Sequence, residues 1–275
     1  MTASVGKVRS PVLSESRPAG ALSIFQTTSH ALARLLFGKL LPRLPYPVLR
    51  GPLRGYWYLL GATAGEAGGV SVHFALQEVE QAKRLASLLR PGQVFFDVGA
   101  NVGFYSLLGS RLVQGHGQVF AFEPMPRNIM FLCRHVDLND ARNVTIFPLA
   151  CADRIMTELF YFGANNALGH LAEDNRRQQN DRAILVSTTT LDAAVQRLGI
   201  SPDVIKIDVE GAEMRVLKGA KSVLTRVRPS LLLSVHSAQL REACLTYLDG
   251  FNYRLEPLNG DSMEVATEFL AQPET

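Results

Sequence analysis

The most constraining stretch of this 275-residue chain is the run Val94-Phe95-Phe96-Asp97-Val98-Gly99-Ala100-Asn101-Val102-Gly103-Phe104. Valine and phenylalanine favour a buried strand over residues 94–98. An acid sits at its end, two glycines four apart follow, and a helical pattern begins at Phe104. Glycine permits the tight turn, and the helix start supplies free amides. The same alternation continues downstream. Residues 119–122 read as a strand before a helix over 127–139, and 144–149 as a third strand. Residues 204–207 read as a buried strand ending at Asp208, followed by a helix through Leu217, and 231–235 as a strand ending at His236. Strands alternating with helices of about ten residues indicate βαβ units with right-handed crossovers. The expected fold is α/β, a Rossmann-like, doubly wound and mostly parallel open sheet.

Three regions fall outside this pattern. Residues 1–55 form a basic leader, with a disordered tail over 1–20 and one amphipathic helix over 21–41. Residues 56–90 read as a helical lead-in, with a helix over 76–89. The main domain covers 91–275. Within it, residues 158–162 and 183–188 read as short strands flanking a polar loop over 163–182, and loops of that length are usually binding loops, lids or disordered. The leader carries eight Lys/Arg against the single acid Glu15, so of the net +3 the remaining residues hold −4. That asymmetry allows contact of residues 21–55 with a membrane surface, while the slightly acidic body argues against nucleic acid as a partner. Cys133, Cys151 and Cys244 are unclustered, which disfavours disulfides and zinc and suits a reducing cytoplasm.

The turn after residue 98 points to a cofactor. A dinucleotide turn reads G-x-G-x-x-G, its middle glycine admitting the pyrophosphate. Here Gly99, Asn101 and Gly103 break that spacing, and Asp97 precedes the first glycine. S-adenosylmethionine lacks a phosphate but carries an ammonium, a carboxylate and a sulfonium. A carboxylate at Asp97 suits the cationic part, and helix amides suit the carboxylate. Glu123, ending the second strand, is placed to accept hydrogen bonds from both ribose hydroxyls. Asp153, past the third strand, is a candidate for the adenine amino group.

Asp203-Val204-Ile205-Lys206-Ile207-Asp208-Val209-Glu210-Gly211-Ala212-Glu213 carries the chemistry. Its strand delivers Asp208, Glu210 and Glu213 to the carboxyl edge of the sheet, where ligands of open α/β sheets bind. Glu213 is the weakest of the three, because an acid at that place also suits a helix N-terminus. Methyl transfer needs alignment of donor and acceptor, and a base when the nucleophile is a hydroxyl. Asp208 and His236 are the candidates for that base, with Glu210 beside them. No Asn/Asp-Pro-Pro-aromatic clamp follows the strand, which favours a hydroxyl over an amino acceptor. No metal is expected, since no ligand spacing demands one.

Taken together, residues 96–104, Phe122-Glu123-Pro124, residues 207–213 and His236 resemble the FkbM family of methyltransferases, from about Pro91 to the mid-250s. The resemblance implies a class I methyltransferase sheet of order 3-2-1-4-5-7-6. It also implies S-adenosylmethionine as donor and O-methylation of a sugar, glycolipid or secondary metabolite, with a small-molecule or glycan acceptor. Glu78 in the lead-in helix is similar to an acid that such proteins place before the core, and is carried over as cofactor-binding on that ground. Two other readings compete: a nicotinamide-dependent oxidoreductase, which the missing middle glycine opposes, and a non-catalytic adaptor retaining the fold.

Overall fold

The computed structural model describes residues 44–62, 72–73, 79–162, 169–171, 182–258 and 260–274. The expected tail over 1–20, the helix over 21–41, Glu78 and most of the loop over 163–182 lie outside the described residues. The chain first makes β1 (Pro45–Pro47), β2 (Trp57–Leu59) and α1 (Val79–Leu88). Next come β3 (Val94–Val98), α2 (Phe104–Val113), β4 (Gln118–Phe122), α3 (Pro126–Leu138) and β5 (Val144–Phe147). Four strands of a second sheet follow: β6 (Ala150–Cys151), β7 (Thr157–Phe162), β8 (Gly169–Leu171) and β9 (Ala183–Thr189). The last stretch holds α4 (Leu191–Leu198), β10 (Val204–Ile207), α5 (Glu213–Lys218), β11 (Ser230–Ser234), α6 (Ala238–Asp249), β12 (Tyr253–Pro257) and β13 (Glu268–Pro273).

The central sheet runs β5-β4-β3-β10-β11-β13-β12, which in chain order within that sheet is the expected 3-2-1-4-5-7-6. The pairs from β5 to β11 are parallel, and β13 is antiparallel to both its neighbours. Side chains alternate across the pleat, so consecutive residues enter different cores. Phe96, Val98, Ile205, Ile207, Leu231 and Leu233 belong to one buried cluster, and Phe95, Val119, Val204 and Leu232 to the other. A sheet apolar on both faces must be covered by helices on both, which explains the unbroken apolar strands. Each phenylalanine so buried stabilises the fold by about 1.5–3 kcal/mol. Capping marks the helix ends: Thr190 Oγ1 accepts from the Ala193 amide at 3.0 Å before α4, and Ser237 Oγ accepts from the Leu240 amide at 3.1 Å before α6.

Two regions differ from the sequence reading. The lead-in is not helical throughout, for β1 and β2 pair antiparallel ahead of α1. The hairpin is held from outside: Asn139 accepts from the Trp57 amide at 2.7 Å and donates to the Trp57 carbonyl at 2.8 Å. Such support comes from α3, far away in sequence, and has no local signature. In the inserted region the two expected short strands, β7 and β9, are joined by β6 and β8 in a sheet of order β6-β9-β7-β8. No helix among the described residues is long and apolar enough to cross a membrane.

Candidate active site

The turn leaving β3 uses left-handed backbone at Gly99 (φ 80°), Asn101 (φ 50°) and Gly103 (φ 95°). Asparagine is among the few non-glycine residues that visit this region readily. At Gly99 the requirement is also spatial, because a Cβ there would fall 1.8 Å from the Asp208 carbonyl oxygen. The cofactor turn and the acid-bearing exit of β10 therefore touch backbone to backbone, and the Asp208 amide donates to the Val98 carbonyl at 3.0 Å.

Glu123 is buried and lines a cavity of about 430 Å³ with Gly99, Ala100, Asn101, Asp208 and Glu210. That volume lies within the range of small-molecule sites. One Glu123 oxygen accepts from the Asn101 amide at 2.8 Å and the other from the Met125 amide at 2.9 Å. Burial pushes its carboxyl up to about 7 against the pull of these hydrogen bonds. Asn101 Oδ1 is buried with no hydrogen-bond partner among the described residues. A polar atom so placed beside the cavity fits a polar ligand such as S-adenosylmethionine.

The chemistry-bearing residues gather at the carboxyl edges of β10 and β11. His236 Nδ1 lies 2.8 Å from Glu213 Oε1, while Nε2 lies 3.5 Å from Asp208 Oδ1 and 3.4 Å from Glu210 Oε2. The hydrogen bond to Glu213, together with the charges of Glu210 and Asp208, raises the imidazole to about 9 against desolvation. Asp208 behaves oppositely. Burial would raise it, but Lys206, 3.1 Å from Oδ2, and His236 outweigh that and hold it below the usual carboxylate value. Burial raises Glu210. Glu210 also has a left-handed backbone (φ 55°), an uncommon state for glutamate that clusters at functional sites. Asp208, Glu210 and His236 offer ligand atoms within 4.8 Å of one another, a spacing that a divalent cation can use. Lys206 already supplies Asp208 with a positive partner.

Three of the residues expected at the cofactor, Asp97, Gly103 and Asp153, do not line the cavity. Asp97 is fully buried and does not line the cavity, and its Oδ2 accepts from Ser106 Oγ at 2.6 Å. It lies within β3, paired in register with Lys206 of β10, and its side chain turns to α2. Asp153 also stays out of the cavity. Its Oδ1 accepts from Arg215 Nε at 2.8 Å, and the same guanidinium holds Glu158 of β7. The cavity is lined by Leu149, Ala150 and Cys151, together with Phe160 and Leu171 of the inserted sheet. Sequence reasoning missed Lys206, which lines the cavity, and understated Glu213. A lysine inside an otherwise apolar strand was the available signal for the first.

Residues 97–255 match the methyltransferase FkbM domain. Similar proteins include the hexuronic acid methyltransferase AglP of Haloferax volcanii, 25% identical over 62% of this chain and 73% of that protein. The 2-O-methyltransferase NoeI of Sinorhizobium fredii is 31% identical over 53% of this chain and 65% of its own length. The 31-O-demethyl-FK506 methyltransferase FkbM of Streptomyces tacrolimicus is 29% identical over 58% and 73% respectively. Among solved structures, methyltransferase FkbM from Methylobacillus flagellatus KT aligns over 90% of this chain and 60% of that one, at 15% identity and a TM-score of 0.48.

Proposed function

The chain belongs to the FkbM family of S-adenosylmethionine-dependent methyltransferases, and from that premise we propose that it methylates a hydroxyl of a sugar, a glycolipid or a secondary metabolite. This class of acceptor is supported by the relatives, whose names specify a hexuronic acid, a 2-O position and a 31-O position. The family match sets aside the nicotinamide reading. Free thiols at Cys133, Cys151 and Cys244 support a reducing, cytoplasmic setting. The basic charge of residues 21–55 supports contact with an anionic membrane surface, which co-sedimentation with anionic vesicles would test.

The observation that carries the reading is the placement of His236, with Nδ1 against Glu213 and Nε2 beside the cavity-lining Asp208 and Glu210. A hydroxyl acceptor must lose its proton as it attacks, so the site needs a basic group that can reach it. Asp208, tied to Lys206, is a weakened base. His236 does not itself line the cavity, but its Nε2 lies 3.5 Å from Asp208 and 3.4 Å from Glu210, which do, and its side chain is 30% exposed. We therefore assign His236 Nε2 as the proton acceptor. Glu210 and Asp208 stabilise the imidazolium that forms. Glu123 and Asn101 would hold the ribose and the polar end of the cofactor. When bound, S-adenosylmethionine supplies an electrophilic methyl group on a sulfonium leaving group.

The test is transfer of labelled methyl from S-adenosylmethionine to a panel of sugar, glycolipid and polyketide alcohols, with product mass spectrometry. An ether product formed by the wild type with a chelator present supports the reading. Methyl on nitrogen would overturn the hydroxyl assignment. Turnover lost to the chelator and restored by magnesium would reassign Asp208, Glu210 and His236 to a metal.

A further inference from the structure

We propose that Glu213 is a positioning residue for methyl transfer, its buried carboxylate fixing the tautomer and orientation of His236. The inference rests on the assignment of His236 as proton acceptor and gives a role to the residue that the sequence marks as the weakest of the three acids after β10.

The structure gives Glu213 a different environment from that of a helix-terminal acid. Its side chain is 0% exposed, and one oxygen, Oε1, collects three contacts. The Gly211 amide donates to it at 3.0 Å, the Val209 amide at 3.3 Å, and His236 Nδ1 lies at 2.8 Å. A carboxylate only accepts, so Nδ1 must carry a hydrogen, and once the ring is neutral Nε2 is the nitrogen with a lone pair to offer. The two amides bracket Glu210, whose left-handed backbone is followed by Gly211 at φ 112°. One buried oxygen thus ties the strained loop that presents Glu210 to the ring that Glu210 faces. A carboxylate behind Nδ1 both orients the ring and makes Nε2 more basic, the division of labour known from hydrolase triads.

A role confined to bracing the loop makes a different prediction. Glutamine at position 213 keeps the volume and a carbonyl oxygen able to accept from all three donors, but carries no charge. The experiment compares wild type, Glu213→Gln and Glu213→Asp by side-chain ¹⁵N NMR of His236 and by steady-state kinetics over pH. The expected result for Glu213→Gln is a fall of at least one pH unit in the His236 midpoint and a drop in kcat of about 10–100-fold, comparable to loss of an orienting carboxylate elsewhere. KM for S-adenosylmethionine stays within about twofold, since Glu213 does not line the cavity. Glu213→Asp, which keeps the charge but withdraws it, recovers part of the midpoint shift. An unchanged His236 midpoint and tautomer in a folded Glu213→Gln protein would overturn the proposal. Because the NMR readout needs no acceptor, it stands apart from the assignment of His236: a shifted midpoint beside full activity in His236→Asn would sink the base assignment while leaving the Glu213 contact intact.

Discussion

His135 and His236 start from the same ordinary imidazole value and are driven in opposite directions. His135 is fully buried in α3, beneath the cofactor turn. Its ring stacks on Tyr58 with centroids 3.9 Å apart, Nε2 accepts from the Leu59 amide at 2.9 Å, and Nδ1 lies 2.6 Å from the Val102 carbonyl. One nitrogen donates and one accepts, which only the neutral ring can do, and burial lowers it to about 4. His236 stands exposed among three carboxylates and is raised to about 9. The first histidine is a bolt between the β1–β2 hairpin and the turn that carries Asn101. The second holds a proton that chemistry can move. Burial sets the first, and the carboxylates around the ring set the second.

Exchanging each for a neutral residue should separate the two roles. His236→Asn should lower turnover by about 10²–10⁴-fold, the usual worth of a general base, with cofactor affinity by calorimetry nearly unchanged. A variant retaining more than a tenth of wild-type turnover would remove His236 from the mechanism. His135→Gln should instead cost about 2 kcal/mol in urea denaturation, since it disturbs a buried pair of hydrogen bonds and a stacked ring. Loss of activity without loss of stability in that variant would erase the distinction.

The pH dependence of stability sharpens it further. His236 binds its proton more tightly when folded, so its contribution is complete below 6.5 and is lost as pH rises through about 9. His135 binds its proton less tightly when folded, so its contribution is complete above 6.5 and is lost as pH falls towards about 4. Urea midpoints measured from pH 4 to 10 should therefore flatten on the alkaline side in His236→Asn and on the acid side in His135→Gln. Turnover should rise with pH towards about 9 as the neutral form of His236 accumulates. A rate already flat from pH 6 would assign the proton transfer to another group.

The division between what the sequence announces and what it hides follows the same physics. The strands of the central sheet, the turn at Gly99 and the acids after β10 were legible, because strand periodicity and glycine punctuation are local signals, whereas the order of the strands came from the family resemblance. The partners that set each group's chemistry were not. Lys206 reaches Asp208 only two residues away, yet the bond depends on how the side chain leaves the strand. Asp97 lies fully buried opposite β10, which no local pattern reveals. The β1–β2 hairpin was hidden because its anchors, His135 and Asn139, lie 76 and 82 residues from their partners.

The cofactor side permits a finer contrast, between two carboxylates that sequence reasoning placed on the same ligand. Glu123→Gln should weaken S-adenosylmethionine binding about 10–100-fold, the cost of losing charge-assisted hydrogen bonds at a buried site. Asp153→Asn should change it less than about twofold, because Asp153 does not line the cavity and its carboxylate is committed to Arg215. The small effect is the more informative one. Arg215 joins α5, which begins at Glu213, to Glu158 on the inserted sheet, and Glu158 alone should hold the guanidinium once Asp153 is neutral. Calorimetry giving more than a tenfold loss for Asp153→Asn would mean that Asp153 leaves Arg215 to meet the adenine. The inserted sheet would then move on binding rather than standing as a fixed wall.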